Sequence, residues 1–303
     1  MTPCPACGDV RTGPRRSVAD HEYGMALVAT YVACGACGSL RQDPMPSAAE
    51  LAGFYPPDYH SQTGQGLPGL LRHRARFRHL APLLDGGSDG GPVLDYGCGN
   101  GDFLRYVARR RPGREYYGFE IGDRREVSVL DGGAVTLVRG DIDDVCSVVP
   151  PCRIITMNHV IEHLPDPQAV VAALAAKLAP GGVLEGQTPA AGSLEHRVFR
   201  GAWSGYHAPR HTVVFSSAGL ARLLADAGLA DVTVEKAFNP AGLAVSLASV
   251  PSRGRAGHIR RGGPSWLVFV AVATALAPVD LLSKSPAIVD FTARRPVDIG
   301  SGG

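Results

Sequence analysis

Two groups of residues in this sequence have the types and spacing to do chemistry. Cys4-x-x-Cys7 and Cys34-x-x-Cys37 are two identical knuckles, each followed by glycine. Four thiolates complete a tetrahedral zinc shell with no vacant position, so the expected ion is structural and contributes on the order of 10 kcal/mol to ordering a small module. The second group is the run Val93-Leu94-Asp95-Tyr96-Gly97-Cys98-Gly99-Asn100-Gly101, a buried strand entering a glycine turn where missing β-carbons let a ligand lie against the backbone. Glu120 ends the next strand-like run, where a carboxylate can accept both ribose hydroxyls of a nucleoside. Position 102 is Asp rather than the third glycine of the dinucleotide fingerprint, and no G-x-x-x-x-G-K-[ST] occurs, which disfavours nicotinamide and P-loop chemistry.

Groups so placed need a sheet to hold them. Strand-like and helix-like pieces alternate: Val93 to Tyr96, a helix after Gly101, Tyr116 to Glu120, a helix near Arg124, Val135 to Val138, Ile154 to Met157, a helix over Asp166 to Leu178, Val183 to Glu185, a helix over Ser217 to Ala227, and Val232 to Phe238. This alternation predicts an α/β fold with a doubly wound, mostly parallel sheet, whose ligands sit beyond the carboxyl ends of the strands. Alternation at Met25, Leu27, Ala29 and Tyr31 predicts a β-ribbon between the knuckles. The expected divisions are a ribbon over 1–45, a connector and helical cap over 46–90, and the main domain over 91–303, with an inserted lid at 239–285 before a last strand at Ala287 to Ala293.

Composition limits the partners. Lys plus Arg number 30 against 28 Asp plus Glu, a net charge of +2 that gives no field for wrapping nucleic acid. The 303 residues include seven cysteines, an odd count, and no secretory h-region opens the chain, which suggests a reducing cytoplasm. The longest apolar run, Trp266 to Val279, contains Pro278 and falls short of the roughly 20 residues of a bilayer span.

At Asp95, Gly97, Gly99 and Gly101 the sequence resembles the class I S-adenosylmethionine-dependent methyltransferases, whose first motif is a strand ending in an acid followed by G-x-G-x-G. The segment Ile154 to Pro167, with Asn158, Glu162 and His163, is similar to the family's fourth-strand region. Leu178-Ala179-Pro180-Gly181-Gly182 resembles its turn into strand five, and His211 to Ser216 a segment beyond it. The resemblance covers residues 90 to 238 and implies a seven-stranded sheet binding S-adenosylmethionine. Asp95 would face the ammonium, Glu120 the ribose, and Asp141 the adenine amine with Ile142 against the ring; Gly97, Gly99, Gly101 and Asn158 would complete the contacts. Cys152-Arg153 departs from the family, which often opens strand four with an acid. A subset acting on small molecules carries such an N-terminal ribbon followed by P-x-P and Y-x-x-x-Y, here Pro44, Pro46, Tyr55 and Tyr59.

A sulfonium methyl needs an aligned nucleophile, exclusion of water and a proton acceptor. Glu162 and His163 after strand four, and Trp203, Tyr206, His207, Arg210 and His211 after strand five, are the candidates. Glu162 suits proton acceptance if an apolar pocket raises its pKa, or it simply caps the following helix. Arg72 and Arg76 share one helical face and could clamp phosphate, or face solvent. With the aromatic wall of Trp203 and Tyr206, these residues suggest a small anionic or amphiphilic substrate. The preferred expectation is C-methylation of a prenyl diphosphate carrying magnesium, with Glu162 taking the proton. The alternatives are O-, N- or C-methylation of a sugar nucleotide, lipid-linked sugar or natural-product phenol, and a non-catalytic zinc-ribbon binding protein on a methyltransferase scaffold. A homodimer stays open.

Overall fold

The computed structural model describes residues 2–56, 59, 66–86, 90–122, 124–237, 240–252, 257–259, 263–283 and 285–297. Pro57, positions 87–89, Phe238, and positions 253–256 and 260–262 of the insertion lie outside the described residues. At the N-terminus β1 (Thr12–Ala19), β2 (Val28–Cys34) and β3 (Leu40–Gln42) form an antiparallel ribbon. Helix α1 (Ala48–Ala52) follows with a Ser47–Glu50 capping box, then α2 (Leu67–Asp85), which opens with proline in its first turn.

The central sheet comprises β4 (Val93–Tyr96), β5 (Tyr116–Ile121), β6 (Glu126–Leu130), β7 (Val135–Gly140), β8 (Cys152–Thr156), β9 (Leu178–Pro189), β11 (Ala230–Lys236) and β12 (Ile288–Arg294). Their spatial order is β11-β12-β9-β8-β4-β5-β7-β6. The inner pairs β7/β5, β5/β4, β4/β8 and β8/β9 are parallel, whereas β12 and β6 run antiparallel to their neighbours. All four residues of β4 are buried, as a central parallel strand covered on both faces requires.

Helices α3 (Asp102–Ala108), α4 (Ile142–Val148), α5 (Pro167–Lys177) and α7 (Ser217–Asp226) flank the sheet; α6 (Leu194–Phe199) follows β9. Their starts are capped as the sequence dictates: Asp166 accepts from the Ala169 N–H, and Ser216 from the Gly219 N–H.

One element differs from expectation. Where the sequence suggests a helix near Arg124, the chain forms β6, so the sheet has eight strands rather than seven. The cause is local: Val127 and Val129 are β-branched, and Asp131-Gly132-Gly133 turns the chain at positive φ straight into β7 as a hairpin.

Strand β10 (Val213–Val214) leaves the main domain and pairs with β3, so it is the fourth strand of the ribbon's own sheet. The insertion forms α8 (Pro240–Ser249) and α9 (Pro264–Leu282), packed on each other through Leu243, Ala244 and Ala273. Gly257 and Ile259 N–H groups donate to Asp20 and Glu22 carbonyls, which ties the insertion to the ribbon. Among the described residues, no helix is long and apolar enough to cross a membrane.

Candidate active site

Asp95 is the third of the four residues of β4 and almost wholly buried. Its Oδ1 accepts from Thr156 Oγ1 at 2.6 Å and from Arg76 Nη2, which reaches in from α2. Arg76 lies over the Phe103 ring at 3.9 Å, and with the Asn158 amide oxygen turned toward it, it donates to that oxygen at 3.0 and 3.1 Å. Asp95 Oδ2 is buried without a hydrogen-bond partner. A bare carboxylate oxygen beside a glycine turn is a place for a ligand's ammonium group.

The turn itself is built for close approach. Gly97, Gly99 and Gly101 all have positive φ, and a β-carbon on Gly97 would stand 2.4 Å from Val160 Cγ2. At the end of β5 Glu120 accepts from the Gly99 N–H at 2.6 Å, and burial pushes its carboxyl above the usual range. Asp141 closes β7 as the exposed N-cap of α4, accepting from the Asp144 N–H at 3.0 Å, with Ile142 half-buried beside it. The three acids and the glycine turn therefore lie along one carboxyl edge of the sheet, and these residues fit S-adenosylmethionine.

Beyond β8 lies a histidine pocket. Glu162 is fully buried; its Oε2 accepts from Thr188 Oγ1 at 3.0 Å, and its Oε1 lies 3.3 Å from His159 Nδ1. Burial pushes the Glu162 carboxyl up, but the hydrogen bond and charge of His159 outweigh it, so the group sits below the usual carboxylate range. This corrects the expected rise. His159 was not singled out from the sequence, yet it sits at φ +54 with Nε2 3.0 Å from Gln187 Oε1. Acceptors thus face both its nitrogens, and although burial lowers its pKa, Glu162 brings it above the ordinary value. Burial lowers His163 to about 4 and His207 to about 3, and takes His211 well below its ordinary value, so these three rings are neutral at pH 7.

The connector closes this pocket. Tyr55 Oη lies 2.9 Å from His163 Nδ1, and Tyr59 Oη 3.3 Å from His207 Nε2. The ribbon grips it from behind: Tyr31 Oη donates to the His211 carbonyl at 2.7 Å, and Gln42 Nε2 donates to the same oxygen at 2.9 Å.

Several expected site residues lie elsewhere. Trp203 and Tyr206 are buried in a cluster with ribbon residues Val18, Ala29 and Tyr31, Trp203 stacked on His196 at 4.7 Å, so they pack against the ribbon. Arg210 has no exposed surface; its Nη2 donates to Asp20 Oδ2 at 2.9 Å, which spends it on a structural ion pair. Arg72 is exposed while Arg76 turns inward to Asp95, so the two do not form one clamp. His211 Nδ1 donates to the Gly205 carbonyl at 2.8 Å, and its Nε2 is 3.9 Å from Glu162 Oε1.

The four knuckle cysteines converge as their spacing predicts. Cys4 Sγ is 3.8 Å from Cys37 Sγ, Cys7 Sγ is 3.7 Å from Cys34 Sγ, and all four sulfurs lie within 4.8 Å of one another, a donor set that fits tetrahedral zinc.

Residues 70–234 match the methyltransferase domain family. The chain is 35% identical over 118 residues to a ubiquinone biosynthesis O-methyltransferase of Photorhabdus laumondii, covering 36% of this chain and 48% of that one. It is 32% identical over 118 residues to the enzyme of the same name from Escherichia coli O127:H6, with the same coverage. The chain thus spans about half the length of the curated relatives it matches. Among solved structures, a Haemonchus contortus phosphoethanolamine N-methyltransferase 2 in complex with phosphomonomethylethanolamine and S-adenosylhomocysteine shares the fold, with a TM-score of 0.51, 14% identity, and 95% of this chain and 71% of that one covered. With its strand order, its acid-bearing β4 and its glycine turn, the chain belongs to the methyltransferase domain family, of the class I S-adenosylmethionine-dependent type.

Proposed function

We propose that the chain transfers the methyl group of S-adenosylmethionine to an oxygen of a small molecule lodged between the glycine turn and the histidine pocket. The observation that carries the cofactor reading is the unpartnered, buried Oδ2 of Asp95, beside an arginine and a turn that admits no side chain. When bound, the cofactor supplies an electrophilic sulfonium methyl. Asp95 Oδ2 receives the ammonium, Arg76 and Asn158 stand beside it for the carboxylate, Glu120 takes the ribose hydroxyls, and Asp141 with Ile142 takes the adenine. Tyr55 and Tyr59 exclude water, and the cluster of Glu162, His163 and His211 is where the acceptor hydroxyl loses its proton. The names of the curated relatives support oxygen as acceptor. Zinc in the cysteine quartet is structural in this reading, and the substrate is a phenol or sugar hydroxyl.

Carbon methylation of a prenyl diphosphate, with its magnesium, has less support because Arg210 is closed off by Asp20 and Arg76 is engaged at Asp95. Titration calorimetry of S-adenosylmethionine tests the cofactor site. Asp95→Asn should weaken binding about tenfold or more, the size of a lost charge-assisted hydrogen bond. Tritium transfer to phenols, sugar nucleotides and prenyl diphosphates tests the acceptor. Label in the prenyl chain overturns the oxygen reading, and absence of cofactor binding points to the non-catalytic scaffold.

A further inference from the structure

The convergence of side chains in the histidine pocket exceeds what proton transfer requires. Glu162, His163 and His211 each offer one ligand atom, and these atoms all lie within 4.8 Å of one another. Each side chain is also braced from behind. His211 Nδ1 meets the Gly205 carbonyl at 2.8 Å, His163 Nδ1 meets the Arg210 carbonyl at 3.2 Å, and Thr188 Oγ1 donates to Glu162 Oε2 at 3.0 Å. A carbonyl oxygen only accepts, so the His211 imidazole carries its proton on Nδ1 and keeps an Nε2 lone pair, while His163 Nδ1 is shared between the Arg210 carbonyl and the Tyr55 hydroxyl. His211 Nε2 then faces Glu162 Oε1 across 3.9 Å, acceptor against acceptor. Two metal–ligand bonds of about 2.0–2.2 Å span such a gap, and imidazoles fixed by N–H···O=C bonds are the usual outer shell of metal-ligating histidines.

We propose that Glu162, His163 and His211 hold a divalent first-row transition ion of the zinc or ferrous class, at a second metal site separate from the cysteine quartet. Two imidazoles and one carboxylate suit these ions, whereas magnesium and calcium favour oxygen alone. Three protein ligands leave coordination positions open, so the site is of the catalytic type. Resting on the function proposed above, the acceptor hydroxyl takes an open position: its O–H bond breaks with the proton passing to His159, whose partly exposed ring releases it to solvent, the oxygen lone pair forms the new C–O bond, and the C–S bonding pair returns to sulfur. His159, whose Nδ1 lies 3.3 Å from the same carboxylate oxygen, is the alternative partner of Glu162 when no ion is bound.

The full chain, stripped with chelator and titrated with Co2+, provides the test, with bound metal counted by plasma mass spectrometry. The wild type should bind two equivalents. One gives the thiolate-to-cobalt charge-transfer absorption of the cysteine quartet, and the other gives ligand-field bands alone. His211→Asn and the isosteric Glu162→Gln should each retain one equivalent with the charge-transfer bands unchanged, folding being checked by circular dichroism; if one variant fails to fold, the other decides. A wild type that takes up a single equivalent, or a folded variant that still takes up two, overturns the site. Calorimetry with S-adenosylmethionine on the same samples separates the readings. Cofactor binding with one metal rejects the site alone, and two metals without cofactor binding rejects the proposed function alone.

Discussion

Glu185 shows how the site sets the charge of single residues. It sits on β9 in the neighbourhood of Asp95 and Arg76, and burial raises its carboxyl from 4.5 to about 7, with Arg76 offsetting part of the rise. In the unfolded chain the group titrates near 4.5, while the folded protein holds the proton longer. Its contribution to stability is therefore complete below pH 4.5 and is lost as pH rises through 7. Ionising it in the folded state costs about 3 kcal/mol. Glu185→Gln should melt with the wild type at pH 4.5 and several degrees above it at pH 8, as read by scanning calorimetry; parallel melting curves at the two pH values would refute this. The sequence shows Asp95, Glu120 and Asp141 because each stands at or near the end of a strand-like run. It offers Arg76 only as a phosphate clamp and conceals Glu185 and His159, because these roles arise only when separate elements meet. Arg210 was misleading for the same reason, since its partner Asp20 lies 190 positions away.

At the level of elements, the glycine turn and the strand after it carry the proposed cofactor edge. A methyl at Gly97 meets Val160 Cγ2 at 2.4 Å and also takes up φ +81, which L-residues adopt at a cost of about 1–2 kcal/mol. Gly97→Ala should weaken S-adenosylmethionine binding severalfold in calorimetry, and Val160→Ala in the same chain should restore part of it, because the second change relieves the clash and leaves the backbone cost. The alternation of strand-like and helix-like runs shows α5, α7 and nearly every strand of the main sheet, since each such signal is local. The miss at β6 was legible too: Asp131-Gly132-Gly133 after alternating valines is a hairpin signal, outweighed by the expected βαβ rhythm. The swap leaves Val127 and Val129 exposed at the sheet edge.

In the whole molecule, ribbon and main domain are stitched by buried polar contacts. Arg210 pairs with Asp20 with neither side chain exposed and lies over the Tyr23 ring at 4.4 Å. Removing one partner of such a pair strands the other charge, at about 3–5 kcal/mol. Arg210→Met should lower the melting temperature by about 5–8 °C, and the double variant with Asp20→Asn should recover part of the loss. A single variant that melts with the wild type would show that the pair contributes little. Cysteine spacing announced the ribbon, but nothing local in the sequence shows that its sheet is completed by Val213 and Val214.

That shared sheet constrains how the chain is made. The ribbon leaves the ribosome before the main domain, yet Ser39 meets its hydrogen-bond partner Ser216 only 177 positions later. Until then β3 presents an open edge, and Tyr31 and Gln42 wait for the His211 carbonyl that they anchor. The nascent protein therefore carries its cysteine knuckles ahead of a completed pocket, and closing the long loop between them is the step that completes both.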